Sequence, residues 1–212
     1  MIARRRPLGR LVVLEGIDGV GKSTLVRAIA RALRDRGASV AVRREPTDPR
    51  LGRLAQSASV TDPWTGAVYF TLDRFLARPR LERDLERHEF VLTDRSFYST
   101  LAYQGSALAA PERRRLETLQ RAVTRAPDAV LLVDLDPALA LRRLGRRGVG
   151  RAPLERRRTL ERVARAYRAL ARRYEWPVLD GRRTRRELLG DALQAIDRTP
   201  RRARRRGPPG RR

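Results

Sequence analysis

Leu11-Val12-Val13-Leu14-Glu15 runs directly into Gly16-Ile17-Asp18-Gly19-Val20-Gly21-Lys22-Ser23, and no other junction restricts the fold of this chain as much. The short apolar run reads as a strand buried on both faces. The octapeptide follows the pattern G-x-x-x-x-G-K-[ST], in which glycines let the backbone wrap phosphate oxygens and the hydroxyl reaches the accompanying metal. From Ser23 to Arg36, Leu25, Ile29 and Leu33 share one helical face, and Gly37 supplies the stop. Strand, phosphate loop and helix in this order dictate an α/β sheet with ligands at the carboxyl ends of its strands. Gly16, Ile17, Asp18, Gly19, Val20, Gly21, Lys22, Ser23 and Thr24 would hold the phosphates of a nucleoside triphosphate, with Ser23 as a metal ligand.

Lys22 is also the only lysine among 49 basic Lys and Arg residues. Arginine stands at every other basic position, so the exception needs a chemical reason. A slim ammonium enters a closed loop as a point charge, whereas a planar guanidinium does so poorly.

Further strands follow at Ser39–Arg43, Phe90–Thr93, Ala129–Val133 and Pro177–Leu179, giving five in all. Helical spacing fills much of the interval between them. Thr65 to Glu86 reads as a helix broken or kinked at Pro79, Pro111 suits a first turn, and Asp136-Pro137 opens another helix. Leu154 to Tyr174 carries Leu160, Val163, Tyr167, Leu170 and Tyr174 on one face, and Thr184 to Glu187 is a capping box. The alternation implies a five-stranded parallel sheet with helices on both faces. The phosphate loop, Arg44-Glu45-Pro46 and Asp94-Arg95 then fall after the first three strands and converge on one cleft. Asp94, ending an apolar strand in the same sheet, suits a second carboxylate near the metal.

Four motifs in series resemble thymidylate kinases of the bacterial type. They are Glu15 to Thr24, Arg44-Glu45-Pro46, Phe70-Thr71-Leu72-Asp73-Arg74 and Asp94 to Gly105 (DRSFYSTLAYQG), and the likeness extends from Leu11 to about Ile196. The resemblance implies a P-loop nucleoside monophosphate kinase fold, transfer of the ATP γ-phosphoryl to dTMP with Mg²⁺, and a two-fold homodimer. It also implies that Phe70 stacks on thymine, Arg74 bonds the base carbonyl edge and Arg95 holds the monophosphate. Asp18 would meet the 3′-hydroxyl, and Tyr103 would crowd out a ribose 2′-hydroxyl. Thr100 and Gln104 would form the rim of the site, with Arg44 and Ser99 also on the substrate side. The competing reading is another pyrimidine nucleotide or deoxynucleoside kinase.

The family supplies a catalytic arginine in one of two places. Gly19 occupies the first, directly after Asp18, and closes that route. The second is a mobile lid at about 144–154, where Leu144-Gly145-Arg146-Arg147-Gly148-Val149-Gly150-Arg151 offers Arg151 and Arg147. Two departures stand out: Thr47-Asp48-Pro49 replaces the usual Gly-Gly-Thr, and Gly150-Arg151 replaces an acid-basic pair.

The net charge of +25 invites a nucleic-acid reading, but arginine is scattered over nearly every expected helix and asparagine is absent, a pattern that GC-rich codon usage produces. A kinase domain over 1–197 is expected, followed at 198–212 by a disordered tail with eight arginines and almost nothing apolar. That tail is the one segment suited to weak, non-specific nucleic-acid contact. A GTP-dependent switch is excluded because Asn-Lys-x-Asp needs an asparagine and a second lysine. Aromatics at 5% give no stacking surface for single strands. Absence of cysteine removes disulfides and thiolate metal sites. No apolar stretch reaches the length of a membrane span, and Leu11–Glu15 is too short for a signal peptide. A cytoplasmic location is expected.

Overall fold

Residues 8–145 and 153–199 are described in the computed structural model. The first apolar run forms β1 (Arg10–Glu15), buried along its whole length as its composition requires. Four more strands flank it: β2 (Val40–Arg44), β3 (Phe90–Asp94), β4 (Ala129–Asp134) and β5 (Val178–Asp180). Their order is β2-β3-β1-β4-β5 and every pairing is parallel. The chain therefore starts mid-sheet and reverses direction across β1, which is where a crevice must open. Register sharpens this. Asp94 lies opposite both Leu14 and Arg44, so the carboxyl ends of β1, β2 and β3 finish side by side.

Helices α1 (Lys22–Asp35) and α8 (Arg185–Arg198) pack together, while α3 (Pro63–Arg87), α4 (Phe97–Tyr103), α5 (Ala110–Val123) and α7 (Pro153–Arg173) pack among themselves. Between these layers Val12, Leu14, Ile29, Leu92 and Leu131 are wholly buried. The capping box before α8 forms as expected: Thr184 Oγ1 accepts from the Glu187 N–H, and the Glu187 carboxylate accepts from the Thr184 N–H at 2.9 Å.

The helices differ from expectation in two places. Pro79 does not break α3, which runs unbroken to Arg87. The proline is exposed, so water can serve the carbonyl it leaves without an N–H. A helix that the apolar spacing did not reveal, α2 (Pro49–Thr61), fills the interval before α3. Both helices begin the same way, with Asp48 accepting from Arg50 N and Asp62 accepting from Trp64 N, each before a proline at the first helical position. At the far end of the fold Arg198 ends α8, and the buried Arg10 guanidinium donates to Ile196 O and Thr199 O at 2.7 Å each. A cation on the last carbonyls of a helix is electrostatically favourable. Residues 200–212 lie outside the described residues. Among the described residues no helix is long and apolar enough to cross a membrane.

Candidate active site

The phosphate loop closes tightly on its surroundings. Gly16, Gly19 and Gly21 adopt φ of 142°, 88° and 100°, the left-handed side that favours glycine. Space reinforces conformation at two of them, because a Cβ on Gly16 would lie 2.5 Å from Val133 O and one on Gly19 2.5 Å from Ala140 O. Gly19 thus rests on α6 (Pro137–Gly145), the helix leading to the expected lid. No side chain caps the start of α1, which leaves its N-terminal N–H groups and positive dipole end facing the loop.

Lys22 is only 6% exposed and donates to Gly16 O and Ile17 O, both at 2.9 Å. An ammonium has three N–H donors, so one remains for a phosphate. Burial, and after it the Arg95 charge, pushes its pKa down to about 7. Ser23 donates its hydroxyl to Asp94 Oδ2. Asp94 is 4% exposed, and its second oxygen has no hydrogen-bond partner among the described residues.

Across the loop, Arg95 follows β3 with φ of 78°, a left-handed conformation in a residue with a side chain. Its N–H donates to Leu14 O at 3.0 Å and its carbonyl accepts from Thr93 Oγ1 at 2.9 Å. The guanidinium bonds Asp18 at 2.7 Å and Ser99 at 3.0 Å, and stands 5.1 Å from the centre of the Tyr103 ring. Against the partial burial that would raise it, the charges of Arg95 and Lys22 hold the Asp18 carboxyl at about 2. The Tyr103 hydroxyl donates to Asp18 Oδ2 and accepts from the Asp18 N–H, both at 3.1 Å, and burial lifts its pKa to about 12.

A cleft of about 480 Å³ opens beside this cluster, a size ordinary for a small-molecule site. Asp18, Arg44, Phe70, Arg74, Arg95, Ser99, Thr100, Tyr103 and Gln104 all line it, so the sequence-selected substrate residues come together. Glu45 and Pro46 of the Arg44-Glu45-Pro46 motif and Leu144 line it as well, together with Gln56 and Ser59, which sequence reasoning had not chosen. Gln56 and Ser59 come from α2, and Ser59 accepts from Gln104 Nε2 at 3.0 Å. The variant Thr47-Asp48-Pro49 segment is firmly seated, since Thr47 N and Asp48 N both donate to the buried Asp73 carboxylate, at 2.8 and 2.7 Å. Arg147 and Arg151 lie outside the described residues.

Two further groups hold the cluster from behind. Glu15 is completely buried and accepts from Ser96 N at 2.9 Å, Ser96 Oγ and Ser99 Oγ at 2.7 Å, and Tyr167 OH at 2.9 Å. Four donors on one carboxylate fix the start of α4, and with it Arg95 and Ser99. Tyr167, on α7, was legible only as an apolar-face position. Its hydroxyl also meets Ser99 Oγ at 2.8 Å, and burial, followed by the Glu15 charge, raises its pKa well above the usual phenol range.

Comparison with known proteins points to one family. The family model for thymidylate kinase matches residues 14–190. A probable thymidylate kinase of Metallosphaera sedula is 32% identical over 186 residues, covering 88% of this chain and 91% of that protein. The thymidylate kinase of Xanthomonas euvesicatoria pv. vesicatoria is 37% identical over 179 residues, covering 80% and 76%. A probable thymidylate kinase of Methanopyrus kandleri is 45% identical over a shorter 130-residue stretch, 61% of this chain and 63% of that protein.

Proposed function

The chain belongs to the thymidylate kinase family, and on that premise we propose how its cleft performs the reaction. The enzyme transfers the γ-phosphoryl group of ATP to dTMP, giving ADP and dTDP. A phosphate oxygen of dTMP attacks the γ-phosphorus as the bond to the ADP oxygen breaks. Little covalent work falls to the protein, whose contribution is positioning and neutralisation of charge. The readings of a broader pyrimidine kinase and of nucleic-acid binding find no support in the family matches.

The assignment of residues rests on one observation above the rest: Arg95, paired with Asp18 at 2.7 Å, stands in a cleft that contains all nine residues expected to meet dTMP. Gly16 to Thr24 would wrap the ATP phosphates, with the third N–H of Lys22 on the transferring group. Arg95 would hold the monophosphate, Asp18 the 3′-hydroxyl and Tyr103 the face where a 2′-hydroxyl would sit. Phe70 would stack on thymine and Arg74 would donate to its carbonyl edge, with Arg44, Ser99, Thr100 and Gln104 around them. Ser23 and Asp94 fit Mg²⁺, since a buried carboxylate oxygen without a partner beside a hydroxyl is a hard oxygen donor set. When bound, the ion neutralises charge on the β- and γ-phosphates. With ATP as donor, the expected compartment is the cytoplasm.

A coupled ADP-release assay across nucleoside monophosphates tests this reading. The enzyme should prefer dTMP to dCMP by at least ~10²-fold, because the cytosine amino group would confront the Arg74 donor and a buried unpaired donor costs about 1–3 kcal/mol, more if charged. Discrimination against dUMP should be weaker, as one methyl contributes about 1–3 kcal/mol. Equal use of dCMP and dTMP would remove the base assignment.

The lid arginines form a second prediction. Leu144 lines the cleft and α6 leans on Gly19, so the chain leaving α6 starts beside the phosphate loop. Arg147→Ala and Arg151→Ala should lower kcat far more than they raise the KM for dTMP, the pattern of a contact made only in the transition state. Wild-type kcat in both variants and in the double variant would refute a lid role.

We also propose that the enzyme is a homodimer. Val68, Leu72, Phe75 and Leu76 form one face of α3 and are 42–61% exposed, and Leu54 and Val60 of α2, the helix packed on α3, are exposed as well. An apolar stripe of this kind calls for a partner, and family resemblance supplies a second copy. Sedimentation should give twice the chain mass, and Leu72→Glu with Phe75→Glu should halve it. A native protein that is monomeric at tens of micromolar would contradict the proposal.

A further inference from the structure

Arg74 is a long side chain, and where its guanidinium points decides what it can read. Its five N–H groups are nearly all occupied. Nε donates to Glu45 Oε2 at 2.5 Å, while Nη2 donates to Thr100 Oγ1 at 2.7 Å and Ser96 O at 3.3 Å. Nη1 donates to Gln120 Oε1 at 3.0 Å. Among the described residues this leaves one N–H without an acceptor, the second on Nη1. The two hydrogens of a guanidinium nitrogen lie in one rigid plane. Whatever holds the first therefore aims the second.

Gln120 is on α5, outside every motif, and is completely buried. Its amide is used at both ends: Oε1 accepts from Arg74, and Nε2 donates to Thr71 Oγ1 at 2.6 Å. Thr71 in turn donates to Ala67 O at 2.7 Å, one turn earlier on α3. The relay has a direction. Turning the amide over would set its NH₂ against the Arg74 Nη1 hydrogens, so the chain of donors is complete in one orientation only. A buried amide without a catalytic contact and with both ends committed is an alignment device for the arginine.

We propose that Gln120 is the positioning residue that aims the one available Arg74 N–H into the base subsite, and so sets preference for a pyrimidine with an acceptor at its carbonyl edge. This rests on the reading of Arg74 as the residue that meets the base. Glu45 on Nε and Thr100 on Nη2 hold the same rigid plane, and Gln120 is the partner on the nitrogen that carries the available N–H.

The test measures kcat and KM for dTMP and dCMP, with melting temperature alongside. In Gln120→Leu the dTMP/dCMP ratio of kcat/KM should fall by on the order of tenfold, mainly through KM for dTMP. Gln120→Glu should restore the ratio, since a carboxylate accepts from Nη1 and the Thr71 hydroxyl can turn to donate to it. Thr71→Val removes the far anchor and should give a smaller fall in the same direction, which keeps the idea testable if Gln120→Leu does not fold. A purely structural role would lower the melting temperature and leave the ratio alone, and that result overturns the proposal. Arg74→Ala separates the two levels. If it erodes the ratio while Gln120→Leu and Thr71→Val do not, Gln120 is not the aiming residue. If Arg74→Ala also leaves the ratio intact, the Arg74 reading fails and this proposal fails with it.

Discussion

Lys22→Ala should lose at least ~10²-fold in kcat/KM, equivalent to about 2.7 kcal/mol of transition-state stabilisation, and Lys22→Arg should be impaired to a similar degree although the charge is kept. The ammonium is held between Gly16 O and Ile17 O, 2.9 Å from each, in a pocket that leaves it 6% exposed. A guanidinium needs more width, and the loop has none to give. Gly16 already lies so near Val133 O, and Gly19 so near Ala140 O, that even a methyl group would collide. The loop cannot move outward without displacing β4 and α6. The alanine variant should not fail by unfolding. Burial drives the Lys22 pKa down to about 7, which is a cost that alanine does not carry, so the ligand-free Ala variant should melt no lower than the parent. Coupled ADP release and thermal melting on the same preparations check both halves. Near-normal turnover of Lys22→Arg would show that the solitary lysine reflects chance and not the width of the loop.

What the sequence disclosed was whatever depends on local pattern. The strand–loop–helix at Leu11 to Arg36 follows from apolar spacing and glycine chemistry within a few residues, as does the capping box at Thr184. The residues of the cleft were legible through the family resemblance that four short motifs carry, although the strand order that brings them together was not. Helix α2 escaped apolar periodicity because only Gly52 and Ala55 are buried in it, while Leu54 and Val60 face outward. The repeated Asp-Pro at 48–49 and 62–63 was the signal that would have found both helix starts. The break expected at Pro79 did not form, since at an exposed position water can serve the carbonyl that the proline leaves without a partner. Glu15, Gln120 and Tyr167 were visible as residues but not as partners. Their roles arise from contacts across 152 positions for Tyr167 with Glu15 and 46 for Gln120 with Arg74, which no local pattern encodes.

Arg95 separates function from stability at a single position. Its φ of 78° costs an L-residue roughly 1–2 kcal/mol relative to the right-handed region, and glycine would carry almost none of that. The chain nevertheless holds an arginine there, fixed by Leu14 O, Thr93 Oγ1, Asp18 and Ser99, with its guanidinium in the cleft. Strain kept by so many contacts at the edge of a cleft points to a role for the side chain. Arg95→Ala and Arg95→Gly should both lose about 10²–10³-fold in kcat/KM for dTMP, the range for removing one charge-stabilising donor. The two variants should differ in stability. Both lack the guanidinium and its bond to Asp18, so the difference between them isolates the backbone, and Gly should be more stable than Ala by about 1 kcal/mol in urea unfolding. Equal stability would mean that the backbone relaxes once the side chain has gone, and the strain would then be a consequence of the guanidinium contacts. Retained activity in either variant would remove Arg95 from the monophosphate site altogether. A rise in KM for dTMP with kcat nearly unchanged would keep it there as a ground-state contact, whereas a fall in kcat would place its main effect on the phosphoryl group in flight.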